Sequence, residues 1–309
     1  MDATTDLART LQLTREQVRK IIDRYKVTDG KSFRLKDFDP ADTAGHLLPK
    51  EQANVLLAHG VQRLAELQEK LYAQDRWAML CVLQAMDAAG KDGTIKHVMS
   101  GVNPQGVQVT SFKAPGPEAL AHDFLWRANV ALPARGHIGV FNRSHYEEVL
   151  VVRVHPEILE RQHLPKGLVG NKLWDQRLEA IAAFERYLTL QGTVVLKFFL
   201  NLSKDEQKRR FLDRLQEKDK HWKFSTSDLA ERAFWDNYQH AYQEAIAATA
   251  TPHAPWFVVP ADNKWFTRLI VVGAMIEALD ELDLKIPKLS AEQQAALEAA
   301  RRQLDGEKG

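Results

Sequence analysis

The chain of 309 residues carries 42 Lys and Arg against 41 Asp and Glu, a formal net charge of +1 with the histidines neutral. That balance excludes a protein that coats nucleic acid by bulk charge, and 45% apolar with 27% charged residues excludes intrinsic disorder. The lone cysteine, Cys81, excludes an internal disulfide framework and a thiolate zinc cluster, and it points to a reducing compartment.

The N-terminal residues MDATTDLARTLQLTREQ lack the basic start and apolar run of a secretion signal. No apolar stretch reaches the roughly 18 residues of a membrane span, the nearest being Leu269 to Leu279, so a cytoplasmic protein with neither membrane nor nucleic acid as partner is expected. A helical period runs from Leu13 to Tyr25 and gives way to a loop-like run through Asp37, Pro40 and Gly45. Residues 1–60 therefore read as an extension packed on a main body over 61–285. From Glu51 to Ala73, Val55, Leu56, Leu57, Val61, Leu64, Leu67 and Leu71 recur at three- and four-residue steps, which predicts an amphipathic helix. The run WAMLCVLQAM, Trp77 to Met86, is apolar on both faces and short, as a buried parallel strand requires.

Further strands are predicted at Val107 to Phe112, His137 to Phe141, Val194 to Leu200 and Trp256 to Val259. Helices are predicted at Pro117 to Val130, Leu173 to Leu190, Lys204 to Leu215 and Asp228 to Ala248. Strands alternating with helices predict an α/β fold whose parallel sheet is covered on both faces. Residues 286–309, rich in Ala, Glu, Gln and Arg, read as a surface helical tail. Trp126, Trp174, Trp222, Trp235 and Trp256 are read as core aromatics, and the histidines show no metal-ligand spacing.

The chemistry concentrates after the first predicted strand, in AMDAAGKDGTIKHVM, Ala85 to Met99. A strand, a loop of small residues with a Gly-Lys pair, and then a helix is the setting in which backbone amides and a helix N-terminus cradle phosphate. Lys91 stands where it reaches a terminal phosphate. The ordinary Walker A pattern is G-x-x-x-x-G-K-[ST], whereas here Ala85 replaces the first Gly and Asp92 the hydroxyl residue. Asp87 inside such a loop repels phosphate unless a divalent cation neutralises it; the alternative is that it caps the following helix.

The third strand runs into HIGVFNRSHYEEVLVVRVH, and its carboxyl end, where α/β sheets bind ligands, carries Asn142, Arg143, Ser144, Tyr146 and Glu147. Arg143 reads either as a second cation facing the phosphates of the Lys91 loop or as a surface ion-pair partner. Between Asn201 and Phe224, Lys204 and Lys208, and Arg210 and Arg214, share helix faces. With Asp205, Glu206, Asp213, Glu217 and Asp219 interleaved, the segment reads as a salt-bridged helix taken alone. Its position after a strand suits a lid whose arginines stabilise a transferring group.

The stretches MDAAGKDGTIKHV, SGVNPQG, FLWR, FNRSHYEEVLVVRVH, KFFLNLSKDEQKRRFLDR, HWKFSTSDL and APWFVVPADNK extend from about Trp77 to Arg268. Together they make the chain resemble the polyphosphate kinase 2 family, which moves phosphoryl groups between inorganic polyphosphate and nucleotides on a P-loop-kinase-like fold. The resemblance implies a three-layer sheet flanked by helices with a helical lid at about 204–226, and a homo-oligomer, dimer or tetramer. It puts the family's essential Asp at Asp87 and its Lys at Lys91. The family's D-R-S motif is N-R-S here, with Asn142 at the Asp and Arg143 at the essential Arg, so one carboxylate near Mg²⁺ is missing. The class III branch is similar in pairing this Asn with a Glu five residues on, here Glu147, and in SGVNP. That branch phosphorylates AMP and ADP with polyphosphate. Arg210 is the best match to the family's lid arginine, with Arg209 adjacent.

The expected site is thus Asp87, Lys91, Arg143 and Arg210 for catalysis, with Asn142, Arg143, Glu147 and Arg210 on the nucleotide. Ala88, Ala89, Gly90, Lys91, Asp92 and Gly93, with Lys96, Arg127 and Lys172, would hold phosphates, and Asp87 and Glu147 would hold Mg²⁺, with Mn²⁺ as a substitute. The expected reaction is reversible, Mg-dependent transfer from polyphosphate to AMP or ADP, giving ADP or ATP. The rival readings are an ATP-dependent nucleoside monophosphate kinase and a non-catalytic polyanion-binding module.

Overall fold

A computed structural model describes residues 15–217 and 226–306 of the chain. The start of the first expected helix at Leu13 and the 218–225 part of the expected lid, with His221 and Trp222, lie outside the described residues. Among the described residues six strands are formed: β1 (Lys26–Val27), β2 (Ala78–Ala85), β3 (Val107–Ser111), β4 (Ile138–Asn142), β5 (Thr193–Asn201) and β6 (Trp256–Pro260). They lie in the order β1-β6-β5-β2-β4-β3, with β1 antiparallel to β6 and every other pair parallel. β1 escapes sequence reading because two residues are too short to show a period.

All eight residues of β2 are buried, which is why its sequence is apolar throughout. Met79, Cys81 and Leu83 face one core, shared with the helices Arg15–Asp23, Lys50–Gln74 and Lys264–Asp280; Leu80 and Val82 face the other, shared with Leu173–Leu190 and Trp235–Thr249. The result is three layers, helices over sheet over helices. Leu56, Leu64 and Leu71 of the long helix are 0% exposed, and full burial of each such side chain is worth roughly 1.5–3 kcal/mol. Cys81 is buried in β2, and burial pushes its thiol well above its usual range, which leaves it inert.

Two expected helices are broken. Pro117 to Val130 forms only the short turns Pro117–Leu120 and Trp126–Asn129, because the Asp123 side chain accepts the Leu125 amide at 2.9 Å and starts a new turn. Asp228 to Ala248 divides into Thr226–Ala233 and Trp235–Thr249 at Phe234, whose ring packs edge-on against His155. The helix Ala291–Gly306 contains no buried residue, as the tail's composition anticipates. Among the described residues, no helix is long and apolar enough to cross a membrane.

The topology leaves a crevice where open α/β sheets bind their ligands. After β2 the chain moves outward through β3 and returns to β4 on one side of β2, then crosses to β5 on the other. The loops leaving β2 therefore diverge and leave a crevice at its carboxyl end.

Candidate active site

The loop leaving β2 turns through two left-handed residues, Ala88 at φ 63° and Gly90 at φ 104°. It closes with the Ala89 amide donating to Met86 O at 3.3 Å, and the helix Lys91–Val98 begins. Gly90 is the N-cap and supplies no capping side chain, so the first helical amides face the crevice with their partial positive charge. Lys91 donates from Nζ to Ala85 O at 2.8 Å, folding back over the loop. Burial pushes its ammonium below the ordinary range, Arg143 adds to that, and Asp87, Glu147 and Asp92 oppose it.

Asp87 does not cap the helix. Its Oδ1 accepts from Arg143 Nη2 at 3.1 Å, and its backbone oxygen accepts from Gln207 Nε2 at 3.0 Å. Arg143 also donates from Nη1 to Glu147 Oε2 at 3.3 Å, so one guanidinium stands between two carboxylates 60 residues apart in sequence. Burial pulls against the guanidinium's charge, but Glu147 and Asp87 override it and raise its pKa. The backbone at Arg143 is left-handed, φ 62°, and its amide donates to Leu83 O at 3.0 Å, which ties the turn after β4 to the end of β2. Asn142 completes the floor by donating from Nδ2 to Asp92 Oδ1 at 2.7 Å.

A cavity of about 690 Å³ opens over this floor, lined by residues 87–93, Lys113, Asn142, Arg143, Arg214 and Asp228 among others. A second of about 200 Å³ adjoins it, lined by His122, Phe124, Arg127, His145, Glu147 and Arg161 among others. Lys113, Ala114 and Arg143 belong to both walls.

The expected residues divide. Asp87, Ala88, Ala89, Gly90, Lys91, Asp92, Gly93, Asn142 and Arg143 come together in the larger cavity, and Glu147 and Arg127 lie in the smaller. Arg127 donates to Lys113 O at 2.7 Å with its guanidinium over the Phe112 ring. Lys96 and Lys172 line neither cavity. Lys96 is exposed, five residues beyond Lys91 and so roughly 140° around the helix, and Lys172 is exposed at the start of Leu173–Leu190.

Arg210 is the clearest correction. It sits beneath the loop rather than over it, 4% exposed. Nη1 donates to Ala88 O and Ala89 O at 3.0 and 2.9 Å, Nη2 to Ala261 O and Asp262 O at 2.6 and 3.1 Å, and Nε to Glu206 Oε1 at 2.7 Å. Every donor group is thus occupied by the body of the fold, so in this structure Arg210 braces the loop from below where the expectation put it over the site. Arg209 is exposed and pairs with Glu206 and Asp213. The cation of this helix that lines the cavity is Arg214, one turn on, 3.6 Å from Asp228. Burial and Asp87 push the Asp228 carboxyl up, against Arg214, Arg143 and Lys91. Arg214 was visible in sequence as the same-face partner of Arg210, and Lys113 as a cation just past a strand end; Asp228 entered only as a predicted helix start and within HWKFSTSDL, with no role attached.

This placement carries a stability prediction. Arg210→Ala is expected to cost roughly 3–5 kcal/mol of folding free energy, as removal of a buried charged partner does, seen as a lower urea midpoint. Arg210→Lys should recover only part of it, because an ammonium cannot span two pairs of carbonyls.

Comparison with known proteins gives a consistent picture. The family model described as polyphosphate kinase 2 (PPK2) matches residues 48–287. A protein of Rhodopseudomonas palustris named ADP-polyphosphate phosphotransferase is 50% identical over 91% of this chain and 97% of its own. One of Meiothermus ruber named AMP/ADP-polyphosphate phosphotransferase is 46% identical over 86% of this chain and 95% of its own. The crystal structure of polyphosphate kinase 2 from Arthrobacter aurescens TC1 superposes with a TM-score of 0.80 at 45% identity, covering 89% of this chain and 95% of that one.

Proposed function

The chain belongs to the polyphosphate kinase 2 family, and from that premise we propose how its residues divide the transfer of a phosphoryl group from inorganic polyphosphate to AMP or ADP. The protein is a polyphosphate-dependent nucleotide phosphotransferase. The larger cavity takes the donor chain, whose repeated charges need a row of cations and amides rather than a shaped pocket. Lys91, Lys113, Arg143 and Arg214 supply the cations, and the loop 88–93 the amides. The smaller cavity takes the nucleoside end of the acceptor, with Phe124 and His122 offering apolar and stacking surface.

The observation that supports this division most directly is that Arg143 lies in the wall common to both cavities. A guanidinium there touches the donor's terminal phosphate and the acceptor's phosphate at once. An acceptor phosphate oxygen attacks the terminal phosphorus of the chain, the phosphoanhydride bond behind it breaks, and the polyphosphate leaves one unit shorter. Such a transfer asks for alignment and charge stabilisation rather than covalent participation by the protein. Lys91 and Arg143 hold the group in transit, and Glu147 keeps the Arg143 fork in register.

Mg²⁺ suits Asp87, because it is held by one or two carboxylates together with phosphates and water, and such an ion offsets charge on the phosphates. Glu147 lies in the other cavity with Arg143 between, so Asp87 rather than the expected pair would hold the ion. The test is a donor and acceptor matrix, polyphosphate or ATP against AMP, ADP and GDP with Mg²⁺, read as product nucleotide. ADP and ATP formation from AMP with polyphosphate is expected. Faster AMP phosphorylation by ATP than by polyphosphate would make the protein a nucleoside monophosphate kinase instead, and no product from any pair would leave a polyanion-binding module.

A further inference from the structure

A buried polar cluster in the core reaches the turn that follows Arg143. Lys197, on the central strand β5, is 0% exposed, and Glu185, on the helix Leu173–Leu190, is 1% exposed. Lys197 Nζ donates to Glu185 Oε2 at 2.5 Å, to Thr249 O at 2.8 Å and to the Tyr146 hydroxyl at 3.2 Å. That hydroxyl lies 2.8 Å from both Glu185 Oε1 and Thr249 Oγ1, and the Tyr146 ring packs edge-on against Trp256. Burial pushes Glu185 up, but the Lys197 charge overrides it and holds the carboxyl below its usual range, while burial also lowers the Lys197 ammonium against the pull of Glu185. A buried ion pair is costly to form and is weak evidence for stability, which leaves its purpose to be explained.

Tyr146 is the explanation. It sits in the turn His145–Glu148, immediately before Glu147 and three residues after Arg143. On its other side that turn is held by Gln84 of β2, which in the orientation satisfying both amide ends donates to Glu147 Oε1 at 2.9 Å and accepts from Ser144 N at 3.0 Å. Arg143 is left-handed without being glycine, a conformation that persists only where its surroundings impose it.

We propose that Lys197, Glu185 and Tyr146 form a positioning device that anchors the turn bearing Arg143 and Glu147 at the transfer point. This rests on the reading of Arg143 given above. None of the three touches substrate; they act through Arg143.

Tyr146→Phe removes one hydroxyl and keeps the ring. Circular dichroism is expected to show a folded protein whose kcat falls roughly ten- to a hundredfold, the scale of a displacement of about 1 Å at a reacting centre, while KM for polyphosphate changes little. In an Arg143→Ala background the same substitution should lower kcat by less than about twofold, because coupled residues are not additive. A merely structural tyrosine would lower the melting temperature and leave this cycle additive. Wild-type kcat in Tyr146→Phe, or losses that multiply in the double variant, would overturn the proposal while leaving the reading of Arg143 standing. Wild-type turnover in Arg143→Ala itself would overturn both. Should Tyr146→Phe not fold, Lys197→Met with Glu185→Gln is judged by the same criteria.

Discussion

Asp87→Asn is expected to yield a folded protein whose polyphosphate-driven nucleotide phosphorylation falls by about 10³-fold or more, the scale on which loss of charge stabilisation is felt in phosphoryl transfer. The amide keeps the size of the carboxylate and leaves an oxygen to accept from Arg143 Nη2, a contact now 3.1 Å long. The backbone oxygen that receives Gln207 is untouched. What disappears is the negative charge, and with it the hard ligand for a divalent ion and the counter-charge beside Arg143 and Lys91. The check combines product chromatography with a melting curve: an unchanged curve with lost turnover assigns the effect to chemistry. Turnover within threefold of wild type would remove Asp87 from the mechanism, and with it the assignment of Mg²⁺.

Arg143→Ala should cost about 10³-fold in kcat, as loss of an arginine clamp does in related transfers. Among the described residues it removes the one cation in both cavity walls other than Lys113, and it leaves the Asp87 and Glu147 carboxylates without their shared partner. Arg143→Lys separates charge from geometry. A lysine restores the positive charge but not the fork that reaches two carboxylates at once, so it should recover only part of the loss. A loss of only tenfold in the alanine variant would demote Arg143 to binding, and full activity in the lysine variant would show that charge alone suffices.

Much of the architecture was legible because parallel strands buried on both faces write themselves as short unbroken apolar runs, as in Trp77 to Met86. The site was legible in part, through the rule that ligands gather at strand ends, which brings Asp87 and Arg143 together across 56 residues. Side-chain direction was not. The four-residue spacing of Arg210 and Arg214 put both on one helix face, but sequence alone could not say which end of that face lies under the loop and which over the cavity. Lys197 lies in an apolar strand, and only the chain's folding of Glu185 and Tyr146 around it makes its burial possible. The break at Asp123 follows from a local side-chain bond that competes with helix without disturbing the apolar period.

Arg210 also bears on how the loop after β2 is oriented before any ligand is bound. Its guanidinium collects the carbonyls of Ala88 and Ala89 from below. In a planar trans peptide the N–H lies opposite the C=O, so the Gly90 N–H is turned away from that cation. The electrical polarity of the loop is thereby set at folding, and an anion bound there, as proposed above, would meet dipoles already aligned, with the reorganisation energy spent in advance.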